Sequence, residues 1–347
     1  MPRSSSQKEL ESRIRGAIMG LAVGDSLGLG TEYMSKALIQ HHYPQGLHHQ
    51  AQIVRDGHRA RWLPGQWTED TSLALCVIES LLVQKKVNSY NIATRLYDWA
   101  CNDGCGIGLT DFQVIHHPAF LSHPAGVARE VWQQAPEASL GNEVLLRTAV
   151  LGLWQPQNQA AVRQNAEKVC RLTHYHPVCV GSSVVVSLVM SQLVAGKPLS
   201  PLFFEYLAEA SQGYDVQIKP LLAASPHSDW YVSGSGRLQY VPSPLKGLHP
   251  DLSALHLDEP RQAKQVYKAL GAAFWALQYA PDFETGIFKI IHEGGDADGN
   301  AALAGALLGA KFGYEAIPQA WLKGLCQGEW LEQKVGQFCR LTHLGMI

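Results

Sequence analysis

Apolar positions in this chain recur at intervals of three and four residues rather than two. Ile14, Ile18, Leu21 and Ala22 form one stripe, and Ser6 with Glu9 has the spacing of a capping box, which predicts a helix starting near Ser6. A second helix is predicted after Thr68–Asp70, where Leu73, Val77 and Leu81 align with Cys76 and Ser80 beside them. Val266, Leu270, Ala273, Phe274 and Leu277 mark a third. The run "AALAGALLGAKFG" marks a fourth, whose Ala and Gly residues allow another helix to approach closely and which the following Gly-Tyr and Ile-Pro end. Alternating β-branched runs are few, and no repeat on the order of 20 to 50 residues is present. The expectation is an all-α fold in a single domain over 1–347, with an irregular Pro, Ser, Gly and His-rich segment at about 212–260.

Val178–Gly196 is about as long as the shortest membrane-spanning helix. Its Gly181, Ser182, Ser183, Ser187, Ser191 and Gln192 predict a buried core helix instead. The 347 residues are enough for a sizeable core, and 46% hydrophobic with 17% charged residues is the balance of a globular protein. A formal net charge of -2 without basic clusters gives no reason to expect nucleic acid or an anionic membrane as partner. Seven scattered cysteines without a Cys-x-x-Cys pair point to free thiols in a reducing compartment. The first residues lack the pattern of a secretory signal, so a cytoplasmic location is expected.

The acidic residues gather at predicted helix ends. "GDSLGLGTE" carries Asp25 and Glu32 among glycines, "GQWTEDT" carries Thr68, Glu69 and Asp70, and "GGDADGN" carries Asp296 and Asp298. Any one such cluster is explained by capping and the helix dipole. Three of them, all hard oxygen donors without nearby cysteine or paired histidine, suit magnesium, manganese or calcium better than zinc if they converge in space.

The order of "GAIMGLAVGDSLGLGTE", "PGQWTEDTSLAL", "GCGIGLT", "GNEVLLRTAVLGL", "RLTHYHP" and "FETGIFKIIHEGGDADGNAALAGALLGAKFGYEAIPQAW" resembles the ADP-ribosylglycohydrolase family over nearly the whole chain. The resemblance implies an all-α bundle with two divalent cations, Mg2+ or Mn2+, at the bottom of a cleft. It makes Thr68, Glu69, Asp70, Asp296 and Asp298 the expected metal ligands, and Glu32 and Asp70 the expected proton-handling carboxylates. Gly104, Gly106, Gly108, Gly141 and Asn142 would hold the diphosphate and distal ribose of the ligand, and His174 would line the adenosine side. The implied reaction is hydrolysis of the glycosidic bond between ADP-ribose and an acceptor, either a protein side chain or a small molecule. The alternative is a non-catalytic relative that binds an ADP-ribose-like ligand or is structural.

Three positions depart from the family pattern. Glu69 is one methylene longer than the usual aspartate, Gly299 stands where a side-chain oxygen is usual, and Glu143 follows Gly141-Asn142 where glycine is usual. Facing the cleft, Glu143 would repel a diphosphate; facing solvent, it would be neutral. The His-rich "HHYPQGLHHQ" is expected to be an exposed loop rather than a metal site. His176 either terminates a helix or contributes to the ligand cleft.

Overall fold

A computed structural model describes residues 4–211, 214, 230–232, 238–240 and 250–344. In chain order its helices are α1 (Ser5–Gly28), α2 (Lys36–His42), α3 (Glu69–Gln84), α4 (Ser89–Asn102), α5 (Leu109–Ile115), α6 (Pro124–Gln134), α7 (Glu143–Ala149), α8 (Gln159–Cys170), α9 (Pro177–Val194), α10 (Pro201–Ala210), α11 (Val266–Tyr279), α12 (Phe283–Ile291), α13 (Ala297–Phe312), α14 (Gln319–Lys323) and α15 (Gly328–Leu344). Among the described residues the strands are β1 (Trp230–Val232) and β2 (Leu238–Tyr240), a short antiparallel ribbon that leaves the fold all-α. Most of the irregular segment expected at about 212–260 lies outside the described residues.

The sequence pattern placed the helices it named, α1, α3, α9, α11 and α13, and missed one start. The N-cap of α1 is Ser4, not Ser6: the Ser4 hydroxyl accepts from the Gln7 amide at 3.3 Å while the Gln7 side chain accepts from the Ser4 N–H at 3.0 Å. Glutamine closes a capping box as well as glutamate does, so the first of three consecutive serines wins and gains further helical residues. His176 begins a helix rather than ending one, its Nδ1 accepting from the Val178 N–H at 3.1 Å at the head of α9.

The centre of the fold is an antiparallel pair, α1 against α13, in contact at every turn. A Cβ added at Gly16, Gly20, Gly24 or Gly28 would lie 2.2, 2.3, 2.1 or 2.4 Å from the carbonyl oxygen of Gly309, Gly305, Ala301 or Ala297 respectively. Four-residue spacing puts these small residues on one stripe, and their lack of bulk lets the two backbones touch. The opposite ends of this ladder carry different loads. The Gly28 end brings Asp25 and Glu32 beside the start of α13, where Asp296 and Asp298 sit.

Helix α9 packs among α7, α8, α11 and α13, and 94% of its most apolar window is buried, as expected of a core helix. Two of its four serines are accommodated by backbone carbonyls: Ser187 Oγ donates at 2.7 Å toward both Thr148 O and Ser183 O, and Ser191 Oγ toward Leu188 O at 2.7 Å. A hydroxyl bonded inside its own helix adds little cost to burial.

Candidate active site

Three helix ends meet, and backbone geometry makes them meet. Asp25, in the last turn of α1, accepts from the Thr68 N–H at 2.9 Å through Oδ1 and from the Thr71 N–H at 2.9 Å through Oδ2. It therefore caps α3 from another helix, supplementing the Thr68 cap, whose Oγ1 accepts from the Asp70 N–H at 3.4 Å. Asp25 is fully buried, and burial raises its carboxyl to about 6 against the pull of these hydrogen bonds.

The loop after Glu32 is tied to the loop before Asp296. Tyr33 N–H donates to Gly295 O at 2.6 Å and Gly295 N–H to Met34 O at 3.3 Å. Gly294 and Gly295 have φ of 72° and 68°, and a Cβ at either would lie about 2 Å from a carbonyl oxygen, so only glycine lets the chain turn into α13 here. Arg59 clamps the same loop, donating through Nε to Gly30 O at 2.9 Å and through Nη2 to Glu32 O.

The result is a buried acidic centre. One carboxylate oxygen from each of Glu32, Asp296 and Asp298 lies within 4.8 Å of the others. Glu69 and Asp70 project from the first turn of α3 and are also buried, Asp70 Oδ2 lying 3.2 Å from where a Cβ on Gly299 would be. Burial raises the Glu69 carboxyl to about 8, with Glu32 and Asp25 adding to the effect and Lys264 opposing it. Asp70, Asp296 and Asp298 are raised for the same first reason, and the charges of neighbouring acids push in the same direction. Glu32 goes the other way: burial would raise it, but His58, whose Nε2 is 2.6 Å from Oε2, and Lys264 hold it below the usual range.

These groups fit a divalent cation. The donor set is entirely hard oxygen, and Asp298 Oδ1 is buried without a hydrogen-bond partner. An ionised acceptor left alone in the interior is costly and calls for a positive charge. The three residues that gather here include no cysteine or histidine, a donor set better matched to a hard dication than to zinc.

Beside the centre is a cavity of about 390 Å³ lined by Glu32, Tyr33, His58, Arg61, Trp62, Glu69 and the 104–107 loop. Gly104 and Gly106 line it with φ of 58° and 88°, and a Cβ at Gly106 would lie 1.8 Å from Glu69 Oε2. Gly108 and Gly141 face elsewhere, each packed over the Glu143 carboxylate, where an added Cβ would come within 2.4 and 2.2 Å of its oxygens. Asn142 is buried and its Nδ2 donates to Asp296 Oδ2 at 2.6 Å, orienting a carboxylate of the centre.

Glu143 follows neither of the two orientations considered from sequence. It is buried beneath the glycines with Oε1 at 3.5 Å from His174 Nε2; burial alone would raise its carboxyl, yet the histidine brings it down to about 2. His174 is correspondingly fully buried rather than cleft-lining, with Nδ1 at 2.9 Å from Thr173 Oγ1 and 3.2 Å from Arg147 Nη2. Arg147 in turn forks onto Asp111 at 2.7 and 2.9 Å, so a buried Asp–Arg–His–Glu chain supports the floor of the site. The "HHYPQGLHHQ" tract is not a wholly exposed loop: His41 and His42 are exposed but close α2, His48 is exposed and stacks on Phe288 at 4.8 Å, and Tyr43, Leu47 and Gln50 are buried.

Sequence reasoning missed Lys264, His58, Arg61 and Trp62. The last three were signalled by "HRARW", a basic and aromatic run directly ahead of the "GQWTEDT" motif. Lys264 had no such signal, because it reaches the centre only through pairing of its segment with Leu140–Asn142, where Asn142 N–H donates to Lys264 O at 3.1 Å and Val266 N–H to Leu140 O at 2.9 Å.

Fold and site together define a class: all-α proteins whose acidic helix termini converge on a buried acidic centre. A model of the ADP-ribosylglycohydrolase family matches residues 6–345, and the chain belongs to that family. It is 26% identical to ADP-ribosylarginine hydrolase Tri1 of Serratia proteamaculans over 335 residues, which cover 93% of this chain and 78% of that protein. It is 24% identical to ADP-ribosylhydrolase ARH3 of Gallus gallus, covering 89% of this chain and 88% of the relative. A solved structure titled ADP-ribosylglycohydrolase-related protein complex is similar with TM-score 0.64 and 25% identity, over 96% of this chain and 99% of that one.

Proposed function

We propose that the protein is a divalent-metal-dependent hydrolase that releases ADP-ribose from a protein side chain or small-molecule acceptor. The observation that carries this reading is the convergence of Glu32, Glu69, Asp70, Asp296 and Asp298 into one buried centre with an unpartnered oxygen on Asp298. The family membership supplies the bond to be cleaved, and the relatives whose names specify hydrolysis of ADP-ribosyl groups support the substrate class.

Thr68, Glu69, Asp70, Asp296 and Asp298 would hold Mg2+ or Mn2+, which supplies Lewis-acid activation of water and orientation of the ribose hydroxyls. The reaction adds water across the bond between the anomeric carbon and the acceptor: the water oxygen bonds to carbon, and the acceptor departs with the bonding pair and gains a proton. Glu32, kept ionised by His58 and lining the cavity, is placed to accept the proton of the water. Asp70 is the second carboxylate assigned to proton handling. Arg61, whose guanidinium lies 4.5 Å above the Trp62 ring, supplies a cation and an aromatic face at the cavity for the diphosphate and a ring of the ligand.

The test is to incubate the purified chain, with Mn2+ or Mg2+, with ADP-ribosylated arginine, ADP-ribosylated serine and small-molecule conjugates. Free ADP-ribose should appear from at least one and disappear on chelation. A folded protein that releases none from any substrate would overturn the catalytic reading in favour of a binding role.

A further inference from the structure

Lys264 reaches into the acidic centre with 34% of its side chain exposed. Its Nζ is 3.4 Å from Asp296 Oδ1, 3.5 Å from Glu69 Oε1 and 3.8 Å from Glu32 Oε1. Three carboxylates from three separate elements at nearly equal range form a seat for a cation, whereas a simple ion pair would bring the ammonium close to one of them. Asp296 is thereby engaged on both oxygens, with Asn142 Nδ2 on Oδ2 at 2.6 Å.

The neighbouring position offers no replacement ligand. Gly299 has no side-chain oxygen, and the space a Cβ would take there lies 2.5 Å from Asp296 Oδ2 and 3.3 Å from Asn142 Nδ2, a donor rather than an acceptor. Asp70 and Asp298 are not among the carboxylates paired with Lys264. Asp298 Oδ1 is buried and unpartnered, and Asp70 Oδ2 borders the same Gly299. A hard dication needs oxygens at about 2.0–2.6 Å, so it cannot share the space held by an ammonium group. Like charges so close in a desolvated site also repel strongly.

Resting on the metal-dependent reading above, we propose that Lys264 is a built-in counter-cation that takes one of the two cation places of the centre. The chain then binds a single divalent ion, on the side of Asp70 and Asp298. Lys264 is a positioning residue in this scheme: it fixes Glu32, Glu69 and Asp296 as a second ion would.

Metal stoichiometry tests this without reference to turnover. Mn2+ is titrated into the metal-free full chain by calorimetry, bound manganese is counted after desalting, and its electron paramagnetic resonance is recorded. The wild type should bind one ion with the spectrum of an isolated centre. Lys264→Met should bind two, with the broadened spectrum of a spin-coupled pair, and Lys264→Arg, which keeps the charge, should stay at one. Circular dichroism establishes that each variant is folded. Two ions in the wild type overturn the inference and leave the hydrolase reading standing, a result that does not depend on any variant folding. One ion in a folded Lys264→Met protein also overturns it. No ion in either protein overturns both the inference and the metal dependence on which it rests.

Discussion

The α1–α13 ladder makes the site and the core share one set of contacts, and Gly28→Ala separates their contributions. The added methyl would lie 2.4 Å from Ala297 O and 2.4 Å from Asp298 Cα. These are backbone atoms, so reaching ordinary contact means moving the start of α13 by about 1 Å. Overpacking of this kind costs about 1–3 kcal/mol, offset by up to about 1 kcal/mol from the better helix propensity of alanine. Gly16→Ala is the control: its methyl would lie 2.2 Å from Gly309 O, a similar clash some 18 Å away along the helix. Urea denaturation should show both variants destabilised by about 1–2 kcal/mol. Mn2+ calorimetry should show at least about tenfold weaker binding for Gly28→Ala only, and ADP-ribose release should fall by up to about 100-fold, since a 1 Å misplacement at a reacting centre costs that much. Wild-type Mn2+ affinity in Gly28→Ala, or an equal loss in Gly16→Ala, would refute the claim that this end of the ladder positions Asp298.

Two further outcomes concern the buried chain beneath the glycines. Arg147→Met strands the Asp111 carboxylate, which is fully buried, and should cost about 3–5 kcal/mol in urea melts; adding Asp111→Leu should restore most of that, and no restoration would contradict the pairing. Glu143 has its carboxyl held near 2 instead of the ordinary 4.5, so the folded state favours the ionised form: its contribution is complete above pH 4.5 and is lost as pH falls through 4.5 toward 2. Glu143→Gln should therefore be less stable than wild type by up to about 3 kcal/mol at neutral pH, with the gap closing in thermal melts between pH 5 and 2; a gap independent of pH would exclude an ionised Glu143 beside His174.

The acidic motifs were legible because their chemistry is local. A Thr-Glu-Asp at a helix start and an Asp-Ala-Asp behind two glycines each announce oxygen ligands beside a sharp turn, and Thr68 and Asp296 do occupy N-cap positions. The glycine loops were legible only as a set. Gly104 and Gly106 border the cavity, while Gly108 and Gly141 spend their missing side chains on Glu143, a distinction that depends on which neighbour fills the space. His174 illustrates the same limit: a polar residue in a matching motif can face a cleft or a buried arginine, and only packing chooses.

By itself the sequence determined the main core helices, the acidic start of α3, the small residues of α13 that let another helix touch it, and the types of side chain available for chemistry. Periods of three and four, capping residues and glycines act over a few residues, so they can be read along the chain. Tertiary structure alone decided that Asp25 is spent capping α3, that Glu143 turns inward to His174, and that Lys264 enters the acidic centre. Those outcomes join residues more than 30 positions apart in the chain, and electrostatics in a desolvated interior depends on distance in space, which no local pattern encodes.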